Sequence, residues 1–277
     1  MIKLGDYNTL TVLRRTEPGI YLSGDERTGD ILLPQRYVTP EMYIGQELQV
    51  FVYLDQEERI VATTEQPLAR VGEFAWLRVA WTNQYGAFLH WGLQKDLFCP
   101  FREQKQRMER DKSYIVYVKE DEETHRLMAT AKVERYLTLA GPLAHGTAVD
   151  CLIWQKTDLG FKVIVDNHYQ GQVYDNQVFR PLHSGDRLTA YIDHVRQDGK
   201  IDITLQPTGH RHTLDFAEVL LRYLHENDGY CDLGDHSDAA LIADRFKVSK
   251  KVFKRAVGDL YRRRLIAISP DGSLHLC

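Results

Sequence analysis

The strongest constraint on how this chain folds is a threefold internal repeat. Self-similarity at a fixed period means that one structural unit has been used several times, and it outranks any residue-by-residue assignment. The first landmark is a glycine opening an apolar strand, at Gly19-Ile-Tyr-Leu22, Gly86-Ala-Phe-Leu89 and Gly160-Phe-Lys-Val163. The second is a hydrophilic turn leading into an alternating strand, over Gly45–Val50, Asp111–Val116 and Gly185–Ala190. The third is a closing strand after a polar hairpin, ending at Thr63, Thr130 and Thr204. The glycines lie 67 and then 74 residues apart, and so do the threonines. Three landmarks with one spacing predict three domains of similar fold.

Within each unit, short β-branched or aromatic runs are separated by turn residues every eight to twelve positions, the pattern of a small all-β domain. Polar hairpin tips fall at Gln56-Glu57-Glu58, Asp121-Glu122-Glu123 and Gln197-Asp198-Gly199. About five strands in so short a unit fit a closed barrel, because closure removes the exposed edges of a lone sheet. The five-stranded OB-type barrel is the economical reading, and a set of SH3-like barrels fits the same strand count. Gln66-Pro67 and Ala140-Gly141-Pro142 have linker composition. The expected boundaries are 1–65, 67–136 and 142–207.

From Arg211 the period changes. Leu214, Ala217, Leu220, Leu221 and Leu224 recur at three- and four-residue steps, which predicts an amphipathic helix ended by Asn227-Asp228-Gly229. Asp235-His236-Ser237-Asp238 offers an N-cap for a second helix over Ala239–Phe246, and Ser249 caps a third. A hairpin follows at Leu265–Ile268 and Leu274–Leu276. Helix, helix–turn–helix and hairpin in that order predict a winged-helix domain over 211–277. The fold class expected is therefore mainly β, three tandem barrels followed by an α+β winged helix.

Charge and aromatic residues point to two candidate sites. Residues 74–101 contain Phe74, Trp76, Trp81, Tyr85, Phe88, Trp91, Phe98 and Phe101, more large rings than one small barrel can bury. Rings left on a barrel face suit stacking with unpaired bases. Residues 70–110 carry a net charge of +3 in a chain of −4, from Arg70, Arg78, Lys95, Arg102, Lys105, Arg107 and Arg110. An ordinary core with a solvated charged face has the same composition. In the last domain, residues 245–264 carry +8 and residues 211–244 carry −6. Lys250, Lys251, Lys254 and Arg255 lie on the helix that enters a groove in helix–turn–helix proteins, with Arg262, Arg263 and Arg264 at its end. Cations there also complement the helix dipole, so a structural or protein-docking role is the competing reading.

The run Tyr85-Gly86-Ala87-Phe88-Leu89-His90-Trp91-Gly92, followed by Asp96-Leu97-Phe98-Cys99-Pro100, resembles the core of the S1 RNA-binding domain, an OB-fold module. That resemblance implies that Phe88, Trp91 and Phe98 form a stacking face, flanked by Tyr85 and His90, with Lys95 meeting phosphate. Strict strand alternation places Phe88 and His90 on one face and Trp91 on the other; Trp91 joins them only if the strand ends or bulges at Gly92. The outer units depart from the pattern: Tyr21 and Lys162 replace Phe88, Gly24 and Val165 replace Trp91, and Leu32 replaces Phe98. The whole chain resembles the bacterial conserved virulence factor B family, RNA-binding regulators with three S1-type domains and a winged helix. Gly160–Tyr169 and Ser249–Gly258 carry that resemblance together with Tyr85–Pro100.

The near-neutral total excludes a uniformly basic polyanion binder. Apolar runs fall well short of a membrane span, and the start, Met1-Ile2-Lys3-Leu4-Gly5-Asp6, has no export character, so a cytoplasmic location is expected. Cys99, Cys151, Cys231 and Cys277 are scattered without a Cys-x-x-Cys pair, which reads as isolated reduced thiols. No phosphate-loop, dinucleotide, zinc-protease or nucleophile-elbow motif occurs. His210-Arg211-His212 with Asp215 reads as a solvated linker rather than a metal site. A non-enzymatic binder of single-stranded RNA without cofactor is expected, a post-transcriptional regulator; the alternatives are a winged-helix transcription regulator on duplex DNA and a ribosome-associated interaction scaffold.

Overall fold

The computed structural model of the protein describes residues 1–178, 181–206 and 210–277, with the backbone alone for residues 210–215. The chain falls into two compact units, 1–136 and 137–277. The first unit holds two barrels. One consists of β1 (Asp6–Thr16), β2 (Gly19–Leu22), β3 (Ile31–Pro34), β4 (Glu47–Leu54) and β5 (Ile60–Thr63). The other consists of β6 (Phe74–Thr82), β7 (Gly86–His90), β8 (Leu97–Pro100), β9 (Ser113–Glu120) and β10 (Leu127–Thr130). The second unit opens with a third barrel, β11 (Ala148–Thr157), β12 (Gly160–Val165), β13 (Tyr169–Tyr174), β14 (Arg187–Val195) and β15 (Ile201–Thr204). All three close in the order first, second, third, fifth, fourth strand, with the third and fifth parallel. That is the OB arrangement.

The repeat landmarks have physical causes. A Cβ on Gly19, Gly86 or Gly160 would lie 2.1, 2.4 or 2.1 Å from the carbonyl oxygen of Leu33, Cys99 or Val173 on the neighbouring strand. Only glycine lets the second and third strands approach so closely. The closing Thr63, Thr130 and Thr204 are buried. Their hydroxyls accept hydrogen bonds from the backbone N–H two residues on, of Glu65, Lys132 and Gln206. Each threonine thus ends its barrel by turning the chain away from the ladder. The first strand of every barrel carries a bulge, between Val12 and Arg14, Val79 and Trp81, and Ile153 and Gln155.

The first two barrels share apolar packing. Strand β4 is buried on both faces through Val50, Phe51, Val52 and Tyr53. Val50 and Val52 fill the first barrel, whereas Phe51 and Tyr53 join the core of the second. Phe51 meets Trp91 edge to face at 5.9 Å and Tyr7 at 5.4 Å. Such aromatic contacts add about 0.5–1.5 kcal/mol beyond burial itself. A continuous apolar run is the mark of a strand covered on both sides.

The second unit ends in a winged helix: α1 (His210–Glu226), β16 (Tyr230–Cys231), α2 (Ala239–Phe246), α3 (Lys250–Arg262), β17 (Ile266–Ile268) and β18 (Leu274–Leu276). The predicted caps are present, the Asp238 carboxylate accepting from Ala240 N–H and the Ser249 hydroxyl from Val252 N–H. Phe253, Ala256, Val257 and Leu260 of α3 pack against Phe216, Leu220 and Leu224 of α1. Two details differ from expectation. Residues 230–231 add a short strand beside β18, too brief for any periodicity to announce. The backbone is already helical at His210, so that histidine begins α1 rather than a linker. The side chains of His210, Arg211, His212 and Asp215 lie outside the described residues.

Candidate nucleic-acid interface

A groove of about 870 Å³ runs across the middle barrel. Its floor is a row of cross-strand partners, Trp81 on β6, Phe88 on β7, Phe98 on β8 and Met128 on β10. Directly paired residues on adjacent strands share a face, so the row presents its side chains together. Trp81 stacks on Phe88 with centroids 3.6 Å apart and planes 5° from parallel; Phe98 follows at 4.9 Å and 37°. Trp81 remains 43% exposed, and Tyr85 at the β6–β7 turn is 65% exposed. The Asn83 side chain fixes that turn by accepting from the N–H groups of Tyr85 and Gly86. The Trp81 indole N–H donates to Asp96 at 3.0 Å, which holds the ring flat against Phe88.

Of the expected site residues, Tyr85, Phe88, Trp91, Lys95 and Phe98 all line this groove. Trp91 contributes little of its ring surface to that lining. It is only 2% exposed, its ring packs on Phe51, and its indole N–H donates to the Lys95 carbonyl at 2.6 Å. Strand β7 does end at His90, but the chain then turns Trp91 into the core rather than out to the row. His90 is exposed on the Phe88 face and lies 4.0 Å from Asp96, outside the groove lining. Trp81 is the residue that reading for known motifs misses.

The cation expected to meet phosphate already has a partner within the protein. The Lys95 ammonium is half-buried and donates to the Asp55 carbonyl of the first barrel at 2.7 Å. Desolvation lowers its pKa from the ordinary lysine value. The other cations of the 70–110 window are engaged as well. Arg70 pairs with Glu73 and Asp6, Arg78 with Asp111, Arg102 with Asp121, Lys105 with Glu134 and Arg110 with Asp111. Arg107 lies 3.6 Å over the Phe101 ring. Much of the charge counted along the chain is therefore met in space by carboxylates, Glu73 within the window and Asp6, Asp111, Asp121 and Glu134 outside it. Within the groove, Lys95, Arg102 and Arg126 face Glu58, Asp96 and Asp121.

The winged helix differs. Lys251, Lys254, Arg255 and Arg262 are exposed on α3, and Lys250 is partly so. Among the described residues Lys250, Lys251 and Arg255 make no ion pair, and Lys254 reaches Asp235 only at 3.7 Å. Arg262 and Arg263 lie near Asp259, at 3.9 and 3.3 Å. At 100° per residue Lys251, Lys254, Arg255 and Arg262 share one side of α3, opposite Phe253, Ala256, Val257 and Leu260, with Lys250 at its margin.

Comparison with known proteins agrees with this architecture. The S1 domain model matches residues 4–65, the first barrel, and the CvfB-like winged helix domain model matches residues 218–274. The chain is 27% identical to the uncharacterized protein YitL of Bacillus subtilis, over 93% of this chain and 89% of that protein. It is 23% identical to conserved virulence factor B of Staphylococcus aureus, over 82% of this chain and 79% of that protein. A solved multidomain protein with nucleic acid binding domains from Streptococcus pneumoniae aligns over 99% of this chain and 98% of its own, at 19% identity and a TM-score of 0.43. S1 and winged-helix domains are nucleic-acid-binding modules, and the chain is a nucleic-acid-binding protein. With these two domains, and with similarity over most of its length, the chain resembles the proteins named conserved virulence factor B.

Proposed function

We propose that the middle barrel binds single-stranded RNA, with unpaired bases stacking on Trp81, Phe88 and Phe98, and that the protein regulates gene expression after transcription without catalysing a reaction. The observation that carries this reading is the open aromatic row on the groove floor. Base–aromatic stacking contributes about 1–3 kcal/mol per base. Because the groove cations are paired, binding depends on bases more than on phosphates, and the salt dependence is shallow. The test is a fluorescence titration with short single-stranded RNA. A Trp81→Ala, Phe88→Ala double variant is expected to keep its melting temperature and lose about 100-fold in affinity, two stacking contacts at about 1.4 kcal/mol per tenfold. Unchanged affinity in the folded variant would refute the assignment.

The unpaired cationic side of α3 favours a second reading, contact with duplex nucleic acid by the winged helix. Replacing Lys250, Lys251 and Lys254 with Gln should then abolish duplex binding and leave single-strand binding by the barrel intact. Equal duplex affinity in both proteins would exclude it and favour a docking role for the helix.

A further inference from the structure

The groove is not built by the middle barrel alone. Leu54, Gln56 and Glu58, from the end of β4 and the β4–β5 hairpin of the first barrel, line one wall. The hairpin is rigid. Its Asp55 carboxylate accepts from the N–H groups of Glu57 and Arg59, both at 2.9 Å, and the Lys95 ammonium fixes the Asp55 carbonyl. From this tip Glu58 reaches across to Arg126 of the middle barrel, at 2.5 Å.

The backbone at Glu58 is unusual for its residue type. Its φ is +65°, in the left-handed region that favours glycine. The matching hairpin positions are His125 in the middle barrel, at φ +56°, and Gly199 in the third, at φ +74°. Two barrels thus make this turn with a side chain and one with glycine, so a glycine at position 58 would keep the turn and remove only the carboxylate. What that side chain does in this structure is place a carboxylate on the groove rim, against the one groove arginine that it can reach.

We propose that Glu58 is a specificity-determining residue of the single-strand groove: by occupying Arg126 and adding a negative charge to the rim, it withholds backbone attraction and makes the groove select unpaired bases over polyanions in general. This inference rests on the functional reading above. The first barrel then contributes to binding as a wall. Duplex nucleic acid, which hides its base faces, gains nothing from the aromatic row and meets a rim without free positive charge. A single strand compensates through stacking.

The experiment compares wild type with Glu58→Gly, a change that suits the left-handed backbone and preserves the turn. Affinities are measured for a ten-nucleotide single-stranded RNA and for its duplex across a salt series. The lysine and arginine residues of α3 are replaced by glutamine in all proteins, so that the winged helix does not contribute to the duplex signal. Freeing Arg126 should steepen the single-strand log K against log salt slope by about 0.7, the value for one additional phosphate. Low-salt duplex affinity should rise several-fold more than single-strand affinity. A second substitution, Arg126→Gln, should reverse both changes. An unchanged slope with an unchanged single-strand-to-duplex ratio in Glu58→Gly would overturn the inference, as would a loss of affinity. If that null result comes with binding that still depends on Trp81 and Phe88, only the role of Glu58 falls. Wild-type protein without measurable single-strand affinity would overturn the functional reading and this one together.

Discussion

The middle and third barrels share their strand order, the bulge in the first strand and the register of the row that crosses the next three. They differ in what stands on that row. In the middle barrel it reads Trp81, Phe88, Phe98 and Met128; in the third it reads Gln155, Lys162, Gln172 and Asp202. The first barrel is intermediate, with Arg14, Tyr21, Leu32 and Val61, the Arg14 guanidinium lying 4.2 Å over the Tyr21 ring. Row side chains point away from the barrel interior, so the fold tolerates aromatic, mixed and polar versions alike. What the difference teaches is that a shared barrel does not imply a shared site. In the third barrel Asp202 is held by Arg196 and His194, so its row ends in a satisfied ionic cluster rather than an apolar floor.

Exchanging the rows breaks the comparison most directly. The triple variant Trp81→Gln, Phe88→Lys, Phe98→Gln gives the middle barrel the polar row. It should lose about 1,000-fold or more in single-strand affinity, as three stacking contacts of roughly 1–3 kcal/mol are removed. Titration checks the loss, and a melting temperature within a few degrees of wild type would confirm that the row is not core. The next effect is on stability. Trp91→Ala removes a buried ring shared by two barrels and should destabilise the first unit by about 3–5 kcal/mol in denaturant unfolding. Affinity of the folded protein should fall far less than in the row exchange; a comparable fall would restore Trp91 to the stacking face.

The smallest effect concerns the connection that holds Trp91 in the middle barrel. In the first barrel the same connection is organised by Asp25, whose carboxylate accepts from the N–H groups of Ile2, Arg27 and Thr28. Those bonds lower its pKa to about 2. A depressed carboxylate pKa stabilises the fold above the unfolded value near 4 and loses that contribution as pH falls toward 2. Asp25→Asn should therefore lower the melting temperature slightly at neutral pH and converge with wild type near pH 2.

Much of the fold was legible because its repeat landmarks are enforced by backbone geometry. The opening glycines admit a neighbouring strand, and the closing threonines end the ladder, so neither position varies freely among the three barrels. The helix caps at Asp238 and Ser249 were equally local. The site was less legible. Trp81 follows a bulge, and one extra residue reverses which side of a strand faces out. The repeat nevertheless contained the signal: the same position holds Arg14 and Gln155, residues that do not belong in a barrel interior. The burial of Trp91 and the engagement of Lys95 were hidden for another reason. Both are set by the neighbouring barrel, through Phe51 and Asp55, and no spacing within one repeat reports that contact.

The double-sided burial of β4 has a consequence for how this protein can be divided. Phe51 and Tyr53 are outer-surface residues of one barrel and core residues of the next. Cutting the chain at Gln66 would leave them, and Trp91 opposite, bare to water. The smallest autonomous folding unit is therefore the whole segment 1–136, which should melt as one cooperative unit. Such an arrangement gives the first barrel a part that needs no ligand of its own: it is the neighbour without which the aromatic row has no foundation.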